Sequence, residues 1–340
     1  MGNNNELELQ KKKLENIKHE GNFDDIKSKY ILKKIFDYLN KKKSLKIINQ
    51  NSKIQKRLEI NINDYIENAQ KNTTIEIEII PKKNNYGKFI NIINKDEESY
   101  FHIYFNNNKK EENKKYKISE KDKVKKIKVI IDYKVKSFRE LFNKCECIES
   151  ISFKKFYRND ITDMSYMFSR CSSLKNINFL EFNTSNVVNM EFMFGKCISL
   201  DKLDLYKFDT NKVTNMSFMF YNCRALKELK ISHFNTKNVE SMESMFSNCT
   251  SIEYIPIYNF NTNKVTNTRY MFYNCSSLKD IILSNFNKVK EVSTKSMFAG
   301  CSEELIYKLK ELYTNFDNEA FEEEDLYAYI ECGCTGFPVY

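Results

Sequence analysis

Ten cysteines in a chain of 340 residues have the most chemistry to offer, and seven of them are evenly spaced. They fall at Cys145, Cys171, Cys197, Cys223, Cys249, Cys275 and Cys301, and every interval is 26 residues. If consecutive copies lie side by side, the sulfurs come about 5 Å apart, the spacing of neighbouring strands. That distance alone does not exclude disulfides. Each ladder cysteine, however, has Phe and other large apolar residues, mostly Met and Leu, close by in sequence. A free buried cysteine is a good small hydrophobe. The column is therefore read as packing. Cys145 with Cys147, and Cys332 with Cys334, form C-x-C pairs, but only His19, His102 and His233 stand ready to complete a zinc site. No metal and no cofactor are expected.

Other reactive constellations are absent from the text. There is no phosphate-binding P-loop, no G-x-S-x-G, no H-E-x-x-H and no dinucleotide fingerprint. Seven glycines in the whole chain leave little material for a phosphate cradle. The acids of FEEEDLY (321–327) read as a solvated charge run in a tail. The expectation is a protein that is not an enzyme.

Aligning the chain on the cysteines exposes the elements that carry them. Four and three residues before each Cys stands a Met-Phe pair, from Met167 and Phe168 to Met297 and Phe298, with Leu141 and Phe142 in the first copy. Three residues after the Cys comes Ile148, Leu174, Leu200, Leu226, Ile252 or Leu278. Eleven after, the residue is always Phe: Phe156, Phe182, Phe208, Phe234, Phe260 and Phe286. The L-x-x-L-x-L stretch alternates and reads as a short strand with one buried face. The V-x-x-M-x-x-M-F-x-x-C stretch spaces its apolar residues by three and one, which predicts a helical or 3₁₀ stripe. One such coil cannot bury its own face, whereas stacked coils bury a continuous core.

The strand pattern with this period looks like a leucine-rich repeat. The text FNTSNVVNMEFMFGKCISLDKLDL resembles the BspA-type repeat, in the 26-residue form also seen in mycoplasma lipoproteins. The resemblance covers about 135–301. Departures are Thr268 and Thr294, where earlier copies carry Met, and Pro256 inside a strand.

A repeating frame leaves function to its variable positions. The outward strand residues lie five, seven and nine after each Cys. Laterally stacked strands are expected to make them one continuous sheet face. Leu180, Tyr206, Tyr254, Tyr258 and Ile282 are apolar or aromatic where water is expected, and such patches mark partners. With Asp204 and Lys230 they form the candidate partner-binding set.

The first half differs. Residues 1–150 hold 34 Lys and Arg against 23 Asp and Glu, while the rest is slightly acidic. The basic residues lack aromatic interleaving, so no nucleic acid is expected. Gly2 stands where an N-myristoylation site would be, with Glu6 in place of Ser or Thr. The text YILKKIFDYLNKKKSLKIINQNSKIQKRL resembles a diverged F-box through Ile31, Leu32, Ile35, Phe36, Leu39, Leu45 and Ile48, although the Leu-Pro opening and the Trp are missing. That resemblance implies a Skp1-type adaptor as partner. Strands are expected at 74–80, 88–93, 100–105, 115–118 and 126–132, the last docking on the first coil. A helix from Ser302, with Leu305, Leu309 and Leu312 inward, is expected to cap the array.

The sequence thus reads as an α/β repeat protein, a leucine-rich-repeat solenoid with a strand and a short helix per coil. Its expected parts are 1–23 disordered or a loose helix, 24–70 helical and F-box-like, 71–134 a small antiparallel β-unit, 135–301 the solenoid, and 302–340 a capping helix and acidic tail. The expected function is a cytoplasmic protein–protein interaction scaffold with no integral membrane segment. The alternatives are an F-box-type substrate receptor of a ubiquitin ligase and a cell-surface adhesin.

Overall fold

The structure is a computed structural model that describes residues 26, 28–38, 51–58, 74–112, 114–132, 134–283, 285–286 and 292–324. The chain divides into two compact units, Met1–Asn72 and Thr73–Tyr340.

In the first unit, α1 (Lys29–Tyr38) and α2 (Ser52–Leu58) form where apolar residues recur at helical spacing. Asn51 caps α2, its Oδ1 accepting from the N–H groups of Lys53 (3.1 Å) and Ile54 (3.2 Å). Leu32, Ile54 and Leu58 are buried, and Ile31 is exposed. The side chains of Ile35 and Phe36, and residues Leu39, Leu45 and Ile48, lie outside the described residues, as do Gly2 and the segment 1–23.

The second unit begins with β1 (Ile75–Pro81), β2 (Gly87–Lys88), β3 (Phe101–Phe105), β4 (Lys117–Ile118) and β5 (Ile127–Ile131). Strands β1, β3 and β5 alternate buried and half-buried residues, as period-2 patterning requires. They join β6 (Ile148–Lys155) and β7 (Asn176–Asn178) in one sheet of order β3-β5-β1-β6-β7. Three expectations need correction here. The strand that docks on the first coil is β1, antiparallel to β6, whereas β5 is enclosed between β3 and β1. The 88–93 segment pairs only at Gly87 and Lys88. Beyond them, Phe89 N–H donates to Tyr116 O and Asn91 N–H to Leu141 O, so Phe89 and Ile90 are buried in a loop. Leu312, finally, is 68% exposed. Buried Arg158 clamps the join between the β-strands and the coils, donating to the carbonyls of Asp132 (2.8 Å) and Val135 and to Asp160 (2.8 Å).

The coils stack as their period demands, but the M-x-x-M-F-x-x-C stretch is not a helix. In the coil of Cys197 the N–H of Met193, Gly195 and Cys197 each closes a turn on the carbonyl three residues back. The N–H of Met190, Phe192, Phe194 and Lys196 instead donates to Asn215, Ser217, Met219 and Tyr221 in the next coil. Phe192 and Lys196 sit at φ 54° and 62°. A left-handed residue every fourth position turns the chain back before an i→i−4 bond can close. The run of turns therefore pairs laterally like a sheet. Its parallel bridges join Ser137, Asp163, Asn189, Asn215, Ser241, Asn267 and Ser293.

Inside, the Phe of each Met-Phe pair stacks on the next. Phe142, Phe168, Phe194, Phe220, Phe246, Phe272 and Phe298 form one column, with ring centroids 5.4–5.7 Å apart and planes within 12°. Offset stacking at this distance adds to the burial of each ring. Helix α3 (Glu303–Leu312) starts at Ser302, whose Oγ accepts from Leu305 N–H (3.3 Å), and buries Leu305 and Leu309. The column itself is closed by the segment after α3. Ser296 and Phe298 donate to Glu319 O and Ala320 O, and Phe321 stacks on Phe298 at 5.6 Å. Phe321 is thus a rung of the core rather than part of a solvated acidic run.

Candidate interaction face

The outward strand residues are presented by β6, β7, β8 (Lys202–Asp204) and β9 (Glu228–Lys230), and by the bridge from Tyr254 to Asp280. Alternation aims Leu203 and Leu229 into the core and their neighbours out. Leu180, Tyr206, Tyr254, Tyr258 and Ile282 are 60%, 61%, 45%, 40% and 43% exposed. All five therefore stand at the surface. Asp204 and Lys230 face outward too, but they hold each other, Nζ to Oδ2 at 2.6 Å. Similar pairs link Lys175 to Glu149 (2.9 Å), Lys202 to Glu228 (3.1 Å) and Lys279 to Glu253 (2.6 Å). These inter-coil pairs are exposed and each contributes little stability. Their effect on the face is to cancel charge locally.

The face is not the single sheet that the repeat implies. Among the described residues no backbone hydrogen bond joins β7 to β8, and β8 with β9 forms a separate two-stranded sheet. The next break follows β9. There Pro256 fixes the chain, and Ile257 N–H turns back onto Ile255 O at 3.0 Å. Tyr254 and Tyr258 stand in that kinked coil. Tyr206 lies two coils away, with Glu228, Lys230 and half-buried Ser232 between. An open groove of about 530 Å³ lies at the first break, bordered by Leu180, Asp204 and Tyr206.

The cysteine ladder lies beneath. Each thiol from Cys171 to Cys301 donates to the carbonyl of a phenylalanine 29 residues earlier, at 3.0–3.2 Å. Burial pushes Cys223 and Cys301 up to about 12 and holds the thiols of Cys171, Cys197, Cys249 and Cys275 well above their ordinary value. A thiol that keeps its proton is neither nucleophile nor ligand. Among the described residues, no three His, Cys, Asp or Glu side chains are grouped to hold a metal ion. No helix among them is long and apolar enough to cross a membrane.

Sequence reasoning missed two features. Thr184, Thr210, Thr236 and Thr262 are buried at the corners, each Oγ1 donating to a carbonyl of the next coil at 2.8–3.1 Å. The signal is the Asn-Thr or Asp-Thr pair that directly follows the phenylalanine of each of these coils. A second aromatic cluster, of Phe192, Phe218, Tyr221 and Tyr270, lies along the run of turns. Tyr270 donates to Glu324 at 2.6 Å, so the acid of the presumed solvated run is held.

A family model described as "Mycoplasma protein of unknown function, DUF285" matches residues 136–230 and 204–308, together half of the chain. The chain belongs to this family. Its two matched stretches overlap at 204–230, from the last residue of β8 through β9, and between them they take in the whole cysteine ladder. Among solved structures the chain is similar to a leucine-rich repeat protein from Bacteroides ovatus, at 15% identity and a TM-score of 0.27. That likeness covers 51% of this chain and 46% of the other, so the chain spans less than half of that protein's solved length. No curated protein matches the sequence.

Proposed function

We propose that this protein is a non-enzymatic interaction scaffold of the leucine-rich-repeat type, binding a protein partner on its strand face. The observation that carries the reading is the exposure of Leu180, Tyr206, Tyr254, Tyr258 and Ile282 on a face where Lys202, Asp204, Glu228, Lys230, Glu253 and Lys279 pair with one another. Tyrosine supplies a large contact area and a polar tip at low entropy cost, which suits interfaces. Cytoplasmic residence is part of the proposal. Its motive is a core in which six thiols donate hydrogen bonds that disulfides would abolish. The ubiquitin-ligase receptor and the surface adhesin draw no such support from the described residues.

The test is affinity purification with mass spectrometry on the wild type and on a Tyr206→Ser, Tyr254→Ser, Tyr258→Ser variant. The variant keeps its thermal melt, since no repeat column is touched. It weakens partner recovery at least tenfold, about 1.4 kcal/mol. An unchanged set of partners in that variant, lost instead on Lys212→Glu with Lys264→Glu at the coil corners, places the binding face elsewhere and defeats the reading.

A further inference from the structure

We propose that the groove at the break between β7 and β8 is a binding site for an uncharged sugar, held by Ser150, Ser152, Asn176 and Asn178 with Tyr206 as its aromatic wall. The proposal does not rest on the protein-scaffold reading. It rests on four facts that coincide at one place.

The first is register. Ser150 pairs with Asn176 and Ser152 with Asn178 across β6 and β7. Parallel pairing sets these partners about 4.8 Å apart across the strands and about 6.6 Å along them, on the same face. The result is a two-by-two grid of neutral hydrogen-bonding groups.

The second is that the grid is unspent. Among the described residues, the side chains of Ser150, Ser152 and Asn176 have no hydrogen-bond partner. Asn178 uses its Oδ1, which accepts from Leu180 N–H at 3.0 Å, while its amino group has no partner among the described residues. In the next pair of coils, by contrast, Lys202 pairs with Glu228 and Asp204 with Lys230.

The third is that no free carboxylate lines the groove. Asp204 borders it but is held by Lys230 at 2.6 Å, and its Oδ1 accepts from Tyr206 N–H at 3.1 Å. Lys207 also borders it, with its ammonium 5.2 Å from the Tyr206 ring centroid. A cationic ligand would find no unpaired carboxylate there, and the Lys207 ammonium can donate to a sugar hydroxyl.

The fourth is shape. The groove is open, about 530 Å³, and walled by Leu180 and Tyr206, which are 60% and 61% exposed. That volume lies within the range of small-ligand sites. A carboxamide offers a donor and an acceptor side by side, the spacing of vicinal hydroxyls on a pyranose. Hydroxyls take either role. A sugar also presents C–H faces to an aromatic ring. An extended peptide would need recesses for side chains on alternate residues, and beside this grid stand only the walls of Leu180 and Tyr206.

The experiment is saturation-transfer NMR and calorimetric titration of the full-length chain with cellobiose, maltose, lactose and diacetylchitobiose. At least one should bind in the millimolar range. Asn176→Ala with Asn178→Ala should weaken it at least tenfold, as should Tyr206→Ala, with the thermal melt unchanged. Asn178→Asp keeps the bond to Leu180 N–H but removes the amino donor, so it should weaken binding without touching the fold. Tyr254→Ser should have no effect. The inference is overturned if none of the four sugars binds, or if binding survives the Asn double variant. It is equally overturned if an uncharged Gly-Ser-Asn peptide binds the groove and the sugars do not.

Discussion

The Cys223 thiol donates to the carbonyl oxygen of Phe194, 3.1 Å away and 29 residues earlier. The same bond recurs at every coil from Cys171 to Cys301. Each cysteine therefore both fills core volume and satisfies a carbonyl of the previous coil's run of turns. That carbonyl already accepts from the N–H of the cysteine in its own coil, Cys197 for Phe194 at 3.1 Å, so the thiol occupies its second lone pair, a bond that Ala or Val does not supply.

Alkaline pH should unfold this protein early. The ladder thiols have their folded pKa values raised by burial, to about 12 at Cys223 and Cys301. Raised folded values mean that the native state keeps protons which the unfolded chain releases. Stability is then intact below the ordinary thiol pKa of about 8.5 and falls as pH rises toward 12. Each thiol adds a slope of up to about 1.4 kcal/mol per pH unit. Denaturant melts between pH 7 and 11 should show this decline. Cys223→Ala should be less stable at pH 7 but lose stability less steeply. An identical slope in the variant would refute the account. Thiol counting should agree, with ten titratable thiols in denaturant and, in the native protein, none from the eight buried cysteines between Cys145 and Cys301.

The column of phenylalanines eleven after each Cys should be structural throughout. Phe234, in the middle of the array, is 2% exposed. Phe234→Ala should cost roughly 3–5 kcal/mol by chemical denaturation. Phe286→Ala should cost less, because on one side its coil meets the segment after α3, with Asn315 Nδ2 donating to Phe286 O at 3.4 Å, and the last coils of such an array fray. Equal costs would count against a stack whose coils contact only their neighbours.

The Thr236 hydroxyl does two jobs. It donates to Asn261 O at 2.9 Å and accepts from Asn261 N–H at 2.7 Å. Thr236→Val keeps the shape but leaves both backbone groups unpaired at a buried corner, a loss of about 1–3 kcal/mol. Thr236→Ser should recover most of it. A valine variant as stable as wild type would show that water replaces the hydroxyl there.

What the sequence determined by itself was the period and the burial. The 26-residue spacing, the Cys, Met-Phe, Leu and Phe columns, and the outward standing of Tyr206, Tyr254 and Tyr258 were all legible, because alternation along a strand records which side chains face a core. Only the tertiary structure decided where the backbone finds its partners. The apolar stripe ending at Cys197 has helical spacing, yet Phe192 and Lys196 adopt positive φ and the alternate N–H groups bond to residues 25 positions on. A neighbouring coil supplies carbonyls at the right spacing, and that offer is invisible within one repeat. The same holds for β1 against β6, for Phe321 closing the ring column, and for the break between β7 and β8 that opens the groove. Each depends on segments far apart in the chain meeting at one distance, and residue types alone carry no record of that distance.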